Sequence, residues 1–195
     1  MYEARVRFDG LSEMLFGAPI VTAKKDSETA DQHEKRVWHE RARITSSGQV
    51  YLQGTAVTQG LESAAKFLGR KIPGEGKKTY TQRFKSGVLA TEDIMFFNPD
   101  DSPLKRDDLE GKWLFVPSDG TRGSGRRVWR CFPSVNTYYA TFALMVLDNK
   151  IDEKQLTDHL VAMGRFIGWG SMRVERGNPN GRTKCADVQI EEIAE

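Results

Sequence analysis

Alternation opens the chain. In MYEARVRFDG, Ala4, Val6 and Phe8 fall on one side and Arg5 and Arg7 on the other, and Asp9-Gly10 ends the run with a turn. A period of two closed by a turn signal is that of a half-buried strand. The pattern then decays over FGAPIVTAKKDSETADQH, residues 16–33, a connection long enough to be either functional or mobile. Order returns over residues 34–45, with Val37, Arg41 and Arg43 around Trp38 and Ile44. The break Ser46-Ser47-Gly48 and the apolar run Val50-Tyr51-Leu52 complete what reads as a hairpin or strand pair. Val57, Leu61, Ala64, Ala65 and Leu68 recur at helical spacing, which predicts a helix over residues 55–68 with Gly69 as its C-terminal cap.

The next segment, GRKIPGEGKKTYTQRFKSG, is Gly-rich and basic and reads as an exposed excursion outside the core. Residues 88–97 read as a strand and 100–111 as an acidic loop. Residues 112–116 and 127–132 read as two strands joined by the tip PSDGTRGSGRR. A strongly apolar strand follows at 138–148. A second amphipathic helix over 152–166 carries Leu156, Leu160, Met163 and Ile167 on its apolar stripe and Asp152 and Glu153 in its first turn, where the helix dipole favours them. A Gly-rich loop over 168–181 leads to a last alternating strand at 183–193. Without the excursions, the order is βαββαβ. That is the α+β, ferredoxin-like (RRM-like) arrangement, an antiparallel sheet with two helices on one face and the other face free. At 195 residues the expectation is one domain over 1–195, with insertions at about 16–45 and 70–130.

Composition narrows the class. A hydrophobic fraction of 38% with 29% charged residues describes a globular chain, and the longest apolar run, at 138–147, is too short to cross a bilayer. The N-terminal residues lack the apolar segment of a signal peptide, and Cys131 and Cys185 have neither metal nor redox spacing. A cytoplasmic protein follows, with inert cysteines, no metal, no cofactor and no membrane partner. A net charge of +2 decides nothing by itself, so its distribution matters more. Lys and Arg gather at 66–85 and 121–130, and Asp and Glu at 92–110 and 148–158, which predicts a basic face and an acidic face.

Three stretches carry candidate chemistry. GRFIGWGSMRVERGNPNGR holds Gly168, Gly170, Gly177 and Gly181, which would let a partner's backbone approach closely. It also holds Arg165, Arg173, Arg176 and Arg182, which would neutralise phosphates. The plain alternative is a helix cap, a bulge and a turn at Asn178-Pro179-Asn180-Gly181. PSDGTRGSGRRVWR places Arg122, Arg126, Arg127 and Arg130 near Trp129, and interleaved cations and rings suit a single strand because stacking needs no particular sequence. The plain alternative there is a solvated loop with Trp129 in the core. KKTYTQRFK, with Lys77, Lys78 and Tyr80, repeats the same chemistry. An enzyme is the competing class, since His33 and His39 lie near Asp26, Asp31 and Glu34. HEKRVWH is not a zinc spacing, however, and on a strand the two histidines would stand about 20 Å apart. His159 reads as a surface or packing histidine.

On these stretches the chain resembles the RAMP superfamily of CRISPR systems, and especially the backbone subunits that polymerise along RNA. GRFIGWGSMRVERGNPNGR is similar to the family's Gly-rich segment after the last helix. GQVYLQGTAVTQGLESAAKFLG is similar to the segment that leads into its first helix, with Gln53-Gly54 where a Pro-Gly is common, and the long first loop occupies the family's usual insertion position. The resemblance implies an RRM-like fold and a non-catalytic protein that binds single-stranded RNA or single-stranded DNA. It also implies side-by-side homo-oligomers or neighbouring subunits of a nucleoprotein complex, including in a stand-alone or phage-encoded relative. It leaves two alternatives: a ribonuclease using Asp31 or His33, with Asp26 in the same loop, or a protein-interaction module docking through residues 100–110.

Overall fold

The computed structural model describes residues 1–118, 120, 123 and 125–193. The chain forms β1 (Tyr2–Gly10), β2 (Met14–Leu15), α1 (Ala30–Val37), β3 (Arg43–Ile44), β4 (Val50–Leu52), α2 (Thr55–Leu68), α3 (Thr81–Gly87), β5 (Val88–Ala90) and β6 (Ile94–Phe97). It continues with β7 (Glu110–Pro117), β8 (Arg127–Val135), β9 (Tyr139–Val146), α4 (Glu153–Ala162) and β10 (Thr183–Glu192). The main sheet runs β10-β1-β9-β6-β4-β3, with β5 also pairing β9, and every ladder in it is antiparallel. The fourth and first strands of a βαββαβ unit therefore lie beside the third and second, which is the ferredoxin-like order expected from the sequence. A second sheet, β2-β8-β7, carries the hairpin whose tip holds PSDGTRGSGRR.

The alternation of β1 decides its orientation. Ala4, Val6 and Phe8 are buried opposite Leu144, Phe142 and Ala140 of β9, whereas Arg5 and Arg7 stay exposed. Val57, Leu61, Ala64 and Ala65 of α2 and Leu156 and Leu160 of α4 close the same core. The two helices meet at Gly60, where a Cβ would lie 2.6 Å from the Met163 sulfur, so a side chain there would force them apart. Gly69 caps α2 in the left-handed region (φ 57°), and Asp152 caps α4 by accepting from the Gln155 amide at 2.7 Å.

Four expectations change. Residues 30–41 are helical, where a strand pair was expected from residue 34. Thr29 and Gln32 form a reciprocal capping box that starts α1, and a short 3₁₀ turn, Trp38–Arg41, extends it before the β3–β4 hairpin. His33 and His39 are therefore separated by roughly 10 Å of helical rise instead of the extended 20 Å. The segment after α2 is not an outlying excursion: Ile72, Tyr80 and Phe84 are 3%, 4% and 0% exposed and belong to the main core. The expected single strand at 88–97 is two, because Thr91, Glu92 and Asp93 leave the sheet and Asp93 accepts the Gly54 amide at the start of α2 (2.9 Å). Finally, the basic run 66–85 and the acidic run 148–158 do not form separate faces. Arg70 pairs with Asp158 and Arg83 with both Asp148 and Glu75, so the two runs largely neutralise each other.

Candidate nucleic-acid interface

The Gly-rich stretch folds on its own chain. A π-helical turn, Met163–Ile167, ends α4, and Trp169 then buries its ring against Phe8 (centroids 5.1 Å, stacked) and Phe142 (5.7 Å, edge-on). Past the tryptophan, backbone bonds fasten the loop to β2: Ser171 N–H donates to the Leu15 carbonyl (2.7 Å), Gly181 N–H to the Glu13 carbonyl (2.8 Å) and Trp169 N–H to the Gly181 carbonyl (3.0 Å). The glycines are required by these crossings. Gly168, Gly170 and Gly181 all have φ between 70° and 72°, and a Cβ on Gly170 or Gly181 would stand 2.4 Å from the Leu15 carbonyl or 2.0 Å from that of Trp169. Gly168, Gly170 and Gly181 therefore admit this chain's own backbone, and the close approach of a partner expected for them is not available there. Gly177 is different: it is exposed, left-handed (φ 75°) and follows Arg176.

β2 also pairs with β8, Met14 opposite Val135 and Leu15 opposite Ser134, and Phe16 N–H donates to the Pro133 carbonyl (2.9 Å). Two residues of strand thus splice the Gly-rich loop to the β7–β8 hairpin. The result is a depression of about 390 Å³ in which Arg176 and Asn178 of the loop face Val116, Pro117 and Arg127 of the hairpin. It continues, across a shared wall of Val116, Pro117 and Met172, into a second depression of about 440 Å³ lined by His33, Arg41, Arg130 and Phe132. Met172 holds a positive φ of 53°, a conformation that costs a non-glycine residue about 1 kcal/mol or more, at the wall between the two.

A buried ion cluster fixes the far side. Glu34, 3% exposed, fills both carboxylate oxygens: Oε1 accepts from Arg41 Nε (2.9 Å) and the Cys131 amide (3.1 Å), and Oε2 from Arg41 Nη2 (3.0 Å) and Arg130 Nη1 (3.2 Å). Burial by itself pushes Glu34 upward. The hydrogen bonds from Arg41, the Cys131 amide and Arg130, together with the Arg41 charge, more than reverse this and hold its carboxyl below the usual range. Cys131, pushed up to about 11 by burial and then by Glu34, is a protonated, inert thiol. Two guanidiniums around one carboxylate leave a net positive charge at the wall of the groove.

The hairpin carries a row of rings. Phe115 and Trp129 are directly opposed across β7 and β8, 46% and 50% exposed with centroids 5.3 Å apart, and Arg127 stacks over Phe115 at 5.3 Å. Trp113 is 37% exposed, and with Trp129, Asp31 and Lys35 it lines a further depression of about 370 Å³. The alternative of a core Trp129 is thereby excluded. Period-two counting along KWLFV places Trp113 and Phe115 on one face, and opposite strands then bring Trp129 to it, which is the signal that would have found the first two rings.

The remaining candidates are dispersed. Arg126 is exposed at the base of the tip, and Arg122 lies outside the described residues. Tyr80 packs on Phe84 (6.4 Å) and His159 (5.7 Å) and is 4% exposed, so its ring has no face for a base. Lys77 and Lys78 are exposed on the Arg70–Arg83 side, Lys78 lying 3.7 Å from Glu75. Arg165 stands over Phe166 (5.6 Å), which stacks on Phe67. Arg173 is held by Glu175 (2.7 Å), and Arg182 is exposed beside Leu11 and Ser12, outside both depressions. His33 and Asp31 face different depressions, Asp26 is exposed in the first loop, and His33 Nε2–H donates to the Thr22 carbonyl (2.8 Å). His159 is a packing histidine, fully buried with Nδ1 2.6 Å from the Gln155 carbonyl. Among the described residues no group of three His, Cys, Asp or Glu is placed to hold a metal, and no helix is long and apolar enough to cross a membrane.

No known family model and no curated protein matches the sequence. Among solved structures, the chain is similar to one in the cryo-EM structure of the type III-B Cmr-beta bound to cognate target RNA, at 10% identity and a TM-score of 0.52 over 97% of this chain. It spans 60% of that chain. It is also similar to Cmr6 from Pyrococcus furiosus, at 13% identity and a TM-score of 0.49 over 95% of this chain and 98% of that one. The first likeness establishes a shared fold: an α+β, ferredoxin-like core with insertions, of the kind built into a CRISPR-associated Cmr chain.

Proposed function

We propose that this chain is a single RAMP-like domain that binds single-stranded RNA without cutting it. One observation carries the reading: Arg127 of the hairpin and Arg176 of the Gly-rich loop, 49 positions apart in sequence, line one groove beside an exposed Phe115–Trp129 pair. Free guanidiniums suit a phosphate track, and paired rings suit unstacked bases. The fold is shared with a chain from an assembly bound to RNA, which makes RNA the strand to try first and side-by-side assembly on it the arrangement to look for.

Fluorescence anisotropy with a labelled single-stranded RNA tests this. Affinity is expected to fall with rising salt, with a slope of about −0.7 per neutralised phosphate. Arg127→Ala with Arg176→Ala should weaken binding about tenfold or more and make the slope shallower by about one. Trp129→Ala should cost a similar factor with the slope unchanged, because stacking releases no counterion. Lys77→Ala with Lys78→Ala, on the cross-neutralised side, should bind as the unaltered protein does. Salt-independent affinity, or full affinity in the double arginine variant, would refute the reading. Tighter binding of DNA than of RNA would move it to single-stranded DNA.

A further inference from the structure

A second cationic cluster lies away from the groove, on the β3–β4 hairpin. Arg43 and Tyr51 are directly opposed across that hairpin and so share a face. His39 reaches the same place from the 3₁₀ turn, and Arg106 from the segment that the Gln49–Lys105 bridge and the Val50 N–H to Leu104 carbonyl bond (2.8 Å) hold against β4. The four side chains line a depression of about 460 Å³, with Ile44 and Thr22 completing its walls.

The charges in it are not spent. Among the described residues neither Arg43 nor Arg106 has a carboxylate within ion-pair distance, although Arg5, Arg7, Arg36, Arg41, Arg70, Arg83, Arg130 and Arg173 all do. Glu40, the only acid lining the depression, is committed to the Val21 and Thr22 amides (3.1 and 3.0 Å) and the Thr22 hydroxyl. His39 is held below its ordinary value by burial and then by the Arg106 charge, with Glu40 opposing, so near neutral pH it offers a neutral imidazole. The site presents two guanidiniums, a neutral imidazole and a phenol hydroxyl. Two uncompensated positive charges match a dianion better than a monoanion. A phosphodiester inside a strand carries one negative charge, whereas a phosphate monoester carries between one and a half and two at neutral pH.

We propose that the His39–Arg43–Tyr51–Arg106 depression binds a phosphate monoester, the 5′-phosphate of a nucleotide or of a nucleic-acid strand. The fork of each guanidinium takes two phosphate oxygens, the imidazole and phenol donate to a third, and the Tyr51 and His39 rings flank the attached nucleoside. The version with a strand end rests on the binding of single-stranded RNA proposed above; the version with a free nucleotide does not.

The test uses the full chain with three probes: one RNA sequence bearing a 5′-phosphate, the same RNA bearing a 5′-hydroxyl, and uridine 5′-monophosphate alone. The phosphorylated strand should bind about tenfold more tightly than the hydroxyl strand. Arg43→Gln with Arg106→Gln should erase that difference and leave affinity for the hydroxyl strand intact. Neither residue has an ion pair to lose, so the variant should melt with the unaltered protein, and Arg106→Glu alone supplies a milder version. If the two strands bind alike but uridine 5′-monophosphate saturates the protein and fails to saturate the variant, the site stands as one for free nucleotides. A 5′-phosphate preference that survives in the variant overturns the proposal, as does the absence of both that preference and nucleotide binding. Loss of all strand binding with nucleotide binding preserved would refute only the RNA-binding function. Strong binding that ignores the 5′ end, with no nucleotide binding, would refute only this site.

Discussion

Gly181→Ala should destabilise the protein by about 3 kcal/mol or more, and in chemical denaturation its unfolding midpoint should fall far below that of Gly177→Ala. Two costs add at residue 181. An alanine there adopts φ 72°, a left-handed conformation that costs a side chain roughly 1–2 kcal/mol. Its Cβ would also lie 2.0 Å from the Trp169 carbonyl oxygen, a backbone atom that cannot rotate away, and overpacking of this kind costs about 1–3 kcal/mol. The displaced backbone would pull Trp169 from Phe8 and Phe142 in the centre of the core. At residue 177 only the first cost applies, because the site is exposed. If the glycine existed for a partner's approach, Gly181→Ala would fold normally and lose only binding; that result would contradict the packing described here.

Replacing Glu34 should be the second large effect, and it carries a pH signature. Glu34→Ala leaves Arg41, 12% exposed, facing Arg130 with no carboxylate between them, and breaking a buried ion cluster from one side costs about 3 kcal/mol. Amides of residues 30–41 should lose hydrogen-exchange protection first, since α1 meets the second sheet through this carboxylate. The sign of the pH dependence follows from the depressed carboxyl. A group held below its ordinary 4.5 in the folded state stabilises fully above that value, and the contribution is lost as pH falls through the folded value. The stability gap between the unaltered protein and Glu34→Gln should therefore be constant near neutrality and narrow progressively below about pH 4.5. A gap that widens in acid would mean that Glu34 is not the anion at the centre of the cluster.

How much of this was legible in the sequence depended on whether a residue's neighbours were local. The two long helices and the four ferredoxin-like strands announce themselves, because Val57, Leu61 and Leu68 or Ala4, Val6 and Phe8 repeat at a fixed period along one element. α1 does not, since ADQHEKRV has one apolar residue and its stability comes from Thr29 at its start and from Glu34 meeting β8, nearly a hundred positions away. Tyr80 and the 66–85 basic run failed for the same reason. Composition marks them as exposed, and only the approach of Asp148, Asp158 and His159 shows that their charges are matched and their ring enclosed. The Gly-rich stretch was the hardest to read. Its glycines signal that a backbone comes close, and nothing local says whether that backbone is the protein's own.

The position of β1 also shapes how the molecule is made. It lies between β9 and β10, with Tyr2 opposite both Val146 and Glu192, so the middle of the sheet is assembled from segments near opposite ends of the sequence. Such pairings close the largest loops and are the slowest to form. On a ribosome, the first strand to emerge waits with Ala4, Val6 and Phe8 uncovered until β9 has been synthesised, and one edge stays open until β10 arrives. In that interval its neighbours are Arg5 and Arg7, which interrupt the apolar run at every second position and act as gatekeepers against pairing with another nascent chain.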